Sequence, residues 1–174
     1  MWALRSDGGG GDEWMPKGYE KRVVERGLVV RGWAPQAEIL SHRAVGGFVI
    51  HSRWNSVMEG VCSGMALATW PPHSEQFVLE KLLVDVLKIA KPVWEGIKSM
   101  ANSKKAVVPA NAVARAVVRL VGGGEEVATM RRRVRELVEL GRKAVAERGS
   151  SYEDMSRLVE GLMACRKERE KSQV

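Results

Sequence analysis

The chain has little from which to build a covalent or metal-bound scaffold. Its 174 residues include two cysteines, Cys62 and Cys165, and three histidines. The cysteines lie far apart in helix-like contexts and in no metal-ligand spacing, which excludes a disulfide framework and a zinc site. No apolar run approaches a membrane span, and the opening MWALRSDGGGGDEW holds no stretch long enough for a signal peptide. No nucleic-acid-binding motif is present. These absences leave a soluble protein of a reducing compartment, with the cytoplasm as the expected location and no metal or further cofactor.

What is present is an ordinary soluble composition, 45% hydrophobic and 28% charged, long enough for one domain with a sizeable core. The net charge of +7 comes from 28 Lys and Arg against 21 Asp and Glu. Much of the excess falls after residue 130, in Arg131-Arg132-Arg133, Arg135, Arg142-Lys143 and the tail from Arg166 to Lys171, where acidic residues alternate with basic ones. That alternation reads as solvated helical faces rather than a nucleic-acid patch.

Hydrophobic patterning sets a strand, loop, helix order. After Met1 to Leu4, the run Gly8 to Gly11 is expected to be a loop. Leu28 to Val30 predicts a strand and Ala37 to His42 a short helix; Gly47 to Ile50 and Ala66 to Trp70 predict buried strands flanking a helix from Asn55 to Cys62. From Glu75 to Leu87, apolar Phe77, Leu79, Leu82, Leu83, Val86 and Leu87 near helical period predict one amphipathic helix, with Glu80, Lys81 and Asp85 between them. Ile89 to Val93 predicts an edge strand, because Pro92 cannot donate a ladder hydrogen bond. A peripheral loop follows from Gly96 to Lys105. Three helices close the chain: Ala110 to Val121 after Pro109, Glu125 to Glu147, and Ser151 to Cys165 with Ser151 and Asp154 at its cap. The fold class is α/β, a Rossmann-like parallel sheet with flanking helices.

The segment from Trp33 to Gln76, WAPQAEILSHRAVGGFVIHSRWNSVMEGVCSGMALATWPPHSEQ, carries the chemistry. Trp33, Gln36, His51, Trp54, Asn55, Ser56, Glu59, Glu75 and Gln76 fall at strand-to-helix connections, where side chains converge at one edge of a sheet and α/β proteins bind ligands. His51 closes a strand and precedes a helix whose first N–H groups suit an anion, with Asn55 and Ser56 as further donors. The simpler reading of Asn55 or Ser56 is a helix cap. Trp33 can offer a flat face to a planar base beside the Gln36 amide, or simply pack. Glu59 lies one turn beyond Asn55 on the same helix face, within reach of a sugar hydroxyl or merely solvated, and Glu75-Gln76 supply an acceptor and an amide at the next helix or cap it.

The order W-A-P-Q, H-x-x-W-N-S-x-x-E and W-P-x-x-x-E-Q closely resembles the signature box of plant UDP-dependent glycosyltransferases, over all 44 residues from Trp33 to Gln76. MPKGYEKRVVERGLVVRGW before the box and RGSSYEDMSRLVEGL after it resemble the family's flanking regions. The resemblance implies a GT-B fold of two facing Rossmann-like halves, of which this chain is the partial C-terminal, donor-binding half. Residues 1–16 then form a truncated strand and flexible Gly-rich lead-in, and residues 17–174 an incomplete UDP-sugar donor-binding domain ending in C-terminal helices. By the family pattern Trp33 stacks on uracil with Ala34 and Gln36 at the base, Glu59 holds the ribose, and His51, Asn55 and Ser56 hold the diphosphate. Trp54, Glu75 and Gln76 address the sugar, with Gln76 tending toward glucose over galactose.

The implied reaction is inverting transfer of the sugar from its UDP donor to a hydroxyl of a small lipophilic acceptor, started by a histidine base and its carboxylate partner. Both belong to the family's other half, and His42, His51 and His73 match no catalytic position. The isolated chain is therefore expected to bind donor without transfer, or to be a non-functional remnant. The family's donor half also begins with a strand, a Gly/Ser loop and a helix not found here, so unpaired strand edges and marginal stability are expected. Two pairs of box positions depart from pattern: Ser52 and Arg53 stand where Cys-Gly is usual, and Met65 and Ala66, expected to matter less because they precede a strand away from the ligand, stand where Val-Pro is usual. A glycine at position 53 suits a tight turn with positive φ, so Arg53, which could crowd the diphosphate or pair with it, is expected on balance to strain the turn and weaken donor binding.

Overall fold

The computed structural model describes residues 1–4, 15–96, 99 and 107–172, so the expected loop at Gly8 to Gly11 and most of that from Gly96 to Lys105 lie outside the described residues. The chain divides into two compact units, Met1–Ile39 and Leu40–Val174.

In the first unit, β1 (Trp2–Leu4) pairs in parallel with β2 (Val29–Arg31), Ala3 opposite Val30. A parallel pair needs a crossover, and here it includes the five-residue helix α1 (Tyr19–Val23), entered through Gly18 at φ 71°. The Trp2 ring stands edge-on to Tyr19 at 5.9 Å between centroids, the Arg22 guanidinium lies over Tyr19, and Glu20 pairs with Arg31. Helix α2 (Gln36–Ser41) begins in this unit.

The second unit holds β3 (Phe48–Ile50), α3 (Trp54–Cys62), β4 (Leu67–Thr69), α4 (Glu75–Lys81), β5 (Ala90–Pro92), α5 (Ala110–Val121), α6 (Glu125–Val145) and α7 (Ser150–Ser172). Its strands form a parallel sheet in the order β3-β4-β5, with Ile50, Thr69 and Pro92 in register at their carboxyl ends. Pro92 stands on an edge strand, as its missing N–H requires. Strand alternation gives the sheet two apolar faces. Leu67 joins Ile50, Val57, Leu83, Ile89 and Val134 on one, while Ala66 and Ala68 join Val93, Ala116, Leu120, Val127 and Met130 on the other. Helix α5 buries the i, i+4, i+8 stripe Ala112, Ala116 and Leu120. Helix α6 serves both faces, Val127 and Met130 on one and Val134 on the other. On β4 the fit to α3 is close: a Cβ at Gly60 would stand 2.6 Å from Leu67 Cδ2.

Among the described residues the parallel strands pair in two ladders, β1-β2 within the first unit and β3-β4-β5 within the second, and the α/β class with parallel strands and flanking helices is as expected. Several expectations need correction. The helix from Glu75 changes at Leu82 into a π-helical turn, Leu82–Val86, closed by the Leu87 amide donating to the Leu82 carbonyl at 2.8 Å. Its buried line is Gln76, Glu80 and Leu83, whereas Val86 is 68% exposed. The core-facing stripe therefore includes Glu80, which apolar periodicity set between the apolar positions, and Gln76, expected only at the opening of the helix. Helix α7 begins at Ser150 and runs to Ser172, so Ser151 lies inside it and Asp154 pairs with Arg157 instead of capping. Its Tyr152, Met155, Leu158, Val159, Leu162 and Met163 are all exposed.

The charged C-terminal third largely behaves as solvated helix, with exposed pairs Arg142–Glu139 and Arg166–Glu170. Arg131 differs. Its Nη2 donates to the carbonyls of Gly46 and Leu120, both at 3.1 Å, so a guanidinium caps the carboxyl end of α5. The two cysteines are free and exposed. Among the described residues no helix is long and apolar enough to cross a membrane.

Candidate functional site

Because β3 and β4 run parallel, both chains leave the sheet at the same edge. The Trp70 amide donates to the Ile50 carbonyl at 2.7 Å, which ties the two exits together. His51 to Ser56 leave β3 there, and Trp70 to Gln76 leave β4. Both connections of the second unit that carry expected site residues therefore leave the sheet at one edge.

At the first exit, Ser52 is fully buried at φ 64°, and Arg53 is exposed with φ −73° and ψ 148°. The expected strain at Arg53 is therefore absent. Its extended backbone is open to any residue, and the left-handed position is Ser52, where a Cβ costs about 1 kcal/mol. The Ser52 hydroxyl has no hydrogen-bond partner. With Arg53 as the residue before the helix, Trp54, Asn55 and Ser56 become its first three positions, so neither Asn55 nor Ser56 is the cap, and no side-chain cap bond is made. The first closed backbone bond runs from the Val57 amide to the Arg53 carbonyl at 3.0 Å. The N–H groups before Val57 have no partner within the helix.

No acidic residue occupies this first turn. His51 and Arg53 flank it, so dipole and side chains both favour an anion. Asn55 is exposed and Ser56 half-buried, Trp54 is 55% exposed, and Glu59 is half-buried further along the helix.

At the second exit, Glu75 is exposed and opens α4, preceded by Ser74 at φ 55° and ψ −134°, again without a side-chain cap bond. Gln76 is only 1% exposed, and its Oε1 has no hydrogen-bond partner. The two residues expected to act as a pair thus face different surroundings. Beneath Gln76, one turn on, Glu80 is 6% exposed and accepts the Thr69 hydroxyl at Oε2 over 2.7 Å. Neither Thr69 nor Glu80 was anticipated as part of the site. The available signal was the four-residue step from Gln76 to Glu80, which sets both on one helix face.

Trp33, Ala34 and Gln36 lie in the first unit, after β2. Trp33 is 85% exposed, leaving its ring open, while Ala34 and Gln36 are half-buried and Gln36 begins α2. Of the remaining histidines, exposed His42 accepts the Ala44 amide at Nδ1 over 3.2 Å, and His73 is exposed in the loop before α4. Among the described residues no group of three His, Cys, Asp or Glu is placed to hold a metal ion.

Comparison with known proteins gives these features a family. Residues 13–120 match the family described as UDP-glucoronosyl and UDP-glucosyl transferase. The chain is 41% identical over 164 residues to the UDP-glucosyl transferase 73M2 of Saponaria officinalis, covering 94% of this chain and 33% of that protein. It is 44% identical over 163 residues to an anthocyanin 3'-O-beta-glucosyltransferase of Gentiana triflora, covering 91% and 34% respectively. A Glycyrrhiza uralensis UGT solved with glycyrrhetinic acid 3-O-monoglucuronide superposes with a TM-score of 0.82 at 41% identity, over 95% of this chain and 34% of that one. A Siraitia grosvenorii UGT solved with UDP gives 0.73 at 36% identity, over 85% and 32%. Such neighbours are GT-B glycosyltransferases, and the parallel sheets with flanking helices fit that fold. The chain spans about a third of the length of the relatives it matches. On the match over residues 13–120, it belongs to the UDP-glucoronosyl and UDP-glucosyl transferase family.

Proposed function

We propose that this chain carries the donor-binding part of a UDP-dependent glucosyltransferase acting on a hydroxyl of a small lipophilic acceptor. The observation that carries the reading is the start of α3: a helix end with unpartnered N–H groups, no acid in its first turn, and His51, Arg53, Asn55 and Ser56 around it. A diphosphate is the anion such an end suits. In this reading His51, Asn55 and Ser56 bind the diphosphate, with Arg53 adding a cation. Glu59 accepts from the ribose, Trp54, Glu75 and Gln76 address the glucose, and Trp33, Ala34 and Gln36 bind the uracil. The exposed indole of Trp33 suits stacking, and the Gln76 Oε1 is an acceptor for which a sugar hydroxyl is a suitable donor. Because Gln76 is buried, it meets a sugar only when its cover opens.

A second reading, donor binding without transfer, is favoured for the 174 residues alone by their histidines. His51 sits at the diphosphate end, and His42 Nδ1 is occupied by the Ala44 amide. A cytoplasmic location belongs to the same proposal, since free exposed thiols persist in reducing compartments. Calorimetric titration with UDP and UDP-glucose, beside an assay of glucose transfer to a phenolic acceptor, tests both readings. Saturable binding without turnover is expected. Absence of binding overturns the donor-site reading, and turnover by the isolated chain overturns the second.

A further inference from the structure

The buried carboxylate of Glu80 is hard to explain as a stabiliser. Burying a carboxylate is costly, and replacing a buried polar pair by apolar residues of similar volume is often neutral or favourable. Yet Glu80, at 6% exposure, accepts the hydroxyl of Thr69, which is fully buried at the carboxyl end of β4. The Lys91 carbonyl lies 3.4 Å from the same hydroxyl, but a hydroxyl has one proton, and the 2.7 Å contact to Glu80 is the better bond.

The pair closes a short segment. Between Thr69 and α4 lie Trp70, Pro71, Pro72, His73 and Ser74, and Ser74 holds a backbone conformation, φ 55° and ψ −134°, that a residue with a side chain keeps only when its surroundings impose it. The Thr69–Glu80 bond fixes β4 to α4 across this segment. Gln76 lies one turn before Glu80 on the same buried face, and Glu75 is its neighbour. A shift of α4 at Glu80 is therefore a shift of both.

We propose that Glu80 is a positioning residue that, through Thr69, sets Glu75 and Gln76 against the donor sugar. This rests on the reading of those two residues as sugar-facing. Two predictions separate positioning from a merely structural role. The double variant Thr69→Val with Glu80→Leu removes both ends of this bond together, so neither end of it is left buried alone, and its thermal melt is recorded beside that of the parent to show that it folds. Calorimetry on the whole chain then shows UDP affinity within about twofold of the parent, but the preference for UDP-glucose over UDP reduced about five- to tenfold, the size of one lost hydrogen bond. Glu80→Gln, whose amide oxygen accepts the same hydroxyl, keeps the preference. An unchanged preference in the double variant, or equal losses for UDP and UDP-glucose, overturns the positioning role. A parent that binds UDP-glucose no more tightly than UDP, with Gln76→Ala equally without effect, overturns instead the sugar-facing reading and the role of Glu80 with it.

Discussion

The units Met1–Ile39 and Leu40–Val174 both contain parallel strands and differ in what covers them. In the second, Leu67 and Ala68 of β4 are fully buried, with apolar clusters on both faces of the sheet. In the first, every described residue keeps some exposure, Trp2 is 41% exposed and α1 buries nothing. Parallel strands are stabilised by cover on both faces, and hydrogen-bonded ladders alone contribute little net free energy. The same element type therefore has different mechanical standing in the two units. The expectation of marginal stability applies to the first unit more than to the second.

The largest effects that could break this contrast are in the strands. Leu67→Ala is expected to lower stability by about 2–5 kcal/mol, whereas Val30→Ala, in the half-buried β2, costs about 1 kcal/mol or less. Denaturant midpoints of the two variants measure the difference. Similar losses would show that β1 and β2 belong to the same cooperative core.

Legibility in the sequence follows the same line. In the second unit every strand and helix was foreseen to within a few residues except the end of α7 and the π-helical turn that replaces the last part of the helix expected from Glu75 to Leu87, because β-branched runs and 3.6-residue periodicity report burial where burial exists. Helix α1 has no buried face, hence no pattern to read. The misread elements are those where polar residues face inward: the stripe Gln76, Glu80, Leu83 runs against apolar periodicity, and Arg131 sits in a basic run yet caps α5. Side-chain hydrogen bonds decide both, and composition does not encode them. The box residues were found by their order, but the backbone reversed one inference. A family glycine suggested positive φ at Arg53, and the structure puts it one residue earlier.

That reversal gives a smaller test within the second unit. Ser52→Gly removes a Cβ from the left-handed region and a buried hydroxyl without a partner, so a gain of about 1 kcal/mol is expected. Arg53→Gly, exposed and extended, changes stability by no more than about 0.5 kcal/mol. Thermal melts of the two variants decide between them, and a gain at Arg53 alone would restore the strain to that position.

The smallest effect is electrostatic. The Lys91 ammonium, 2.5 Å from Glu126 and joined by Arg119, holds the Glu126 carboxyl below its ordinary value of 4.5, chiefly through the hydrogen bond from Lys91. A carboxyl depressed on folding adds stability that is present above the ordinary value and lost as pH falls through the depressed one. Because Glu126 is 56% exposed, the contribution is small, no more than about 0.5 kcal/mol. Stability measured from pH 6 downward should therefore fall slightly less steeply in Glu126→Gln than in the parent. An identical pH profile would mean that the pair between β5 and α6 adds nothing.

Hydrogen exchange with and without UDP tests the donor-site account most directly, because its central claim is that the N–H groups at the start of α3 bind a diphosphate. UDP is expected to slow exchange at Trp54, Asn55 and Ser56 by at least about tenfold while leaving the exposed helix α7 unchanged. Unaltered exchange at those three amides under saturating UDP, or protection confined to the basic end of α7, would contradict it.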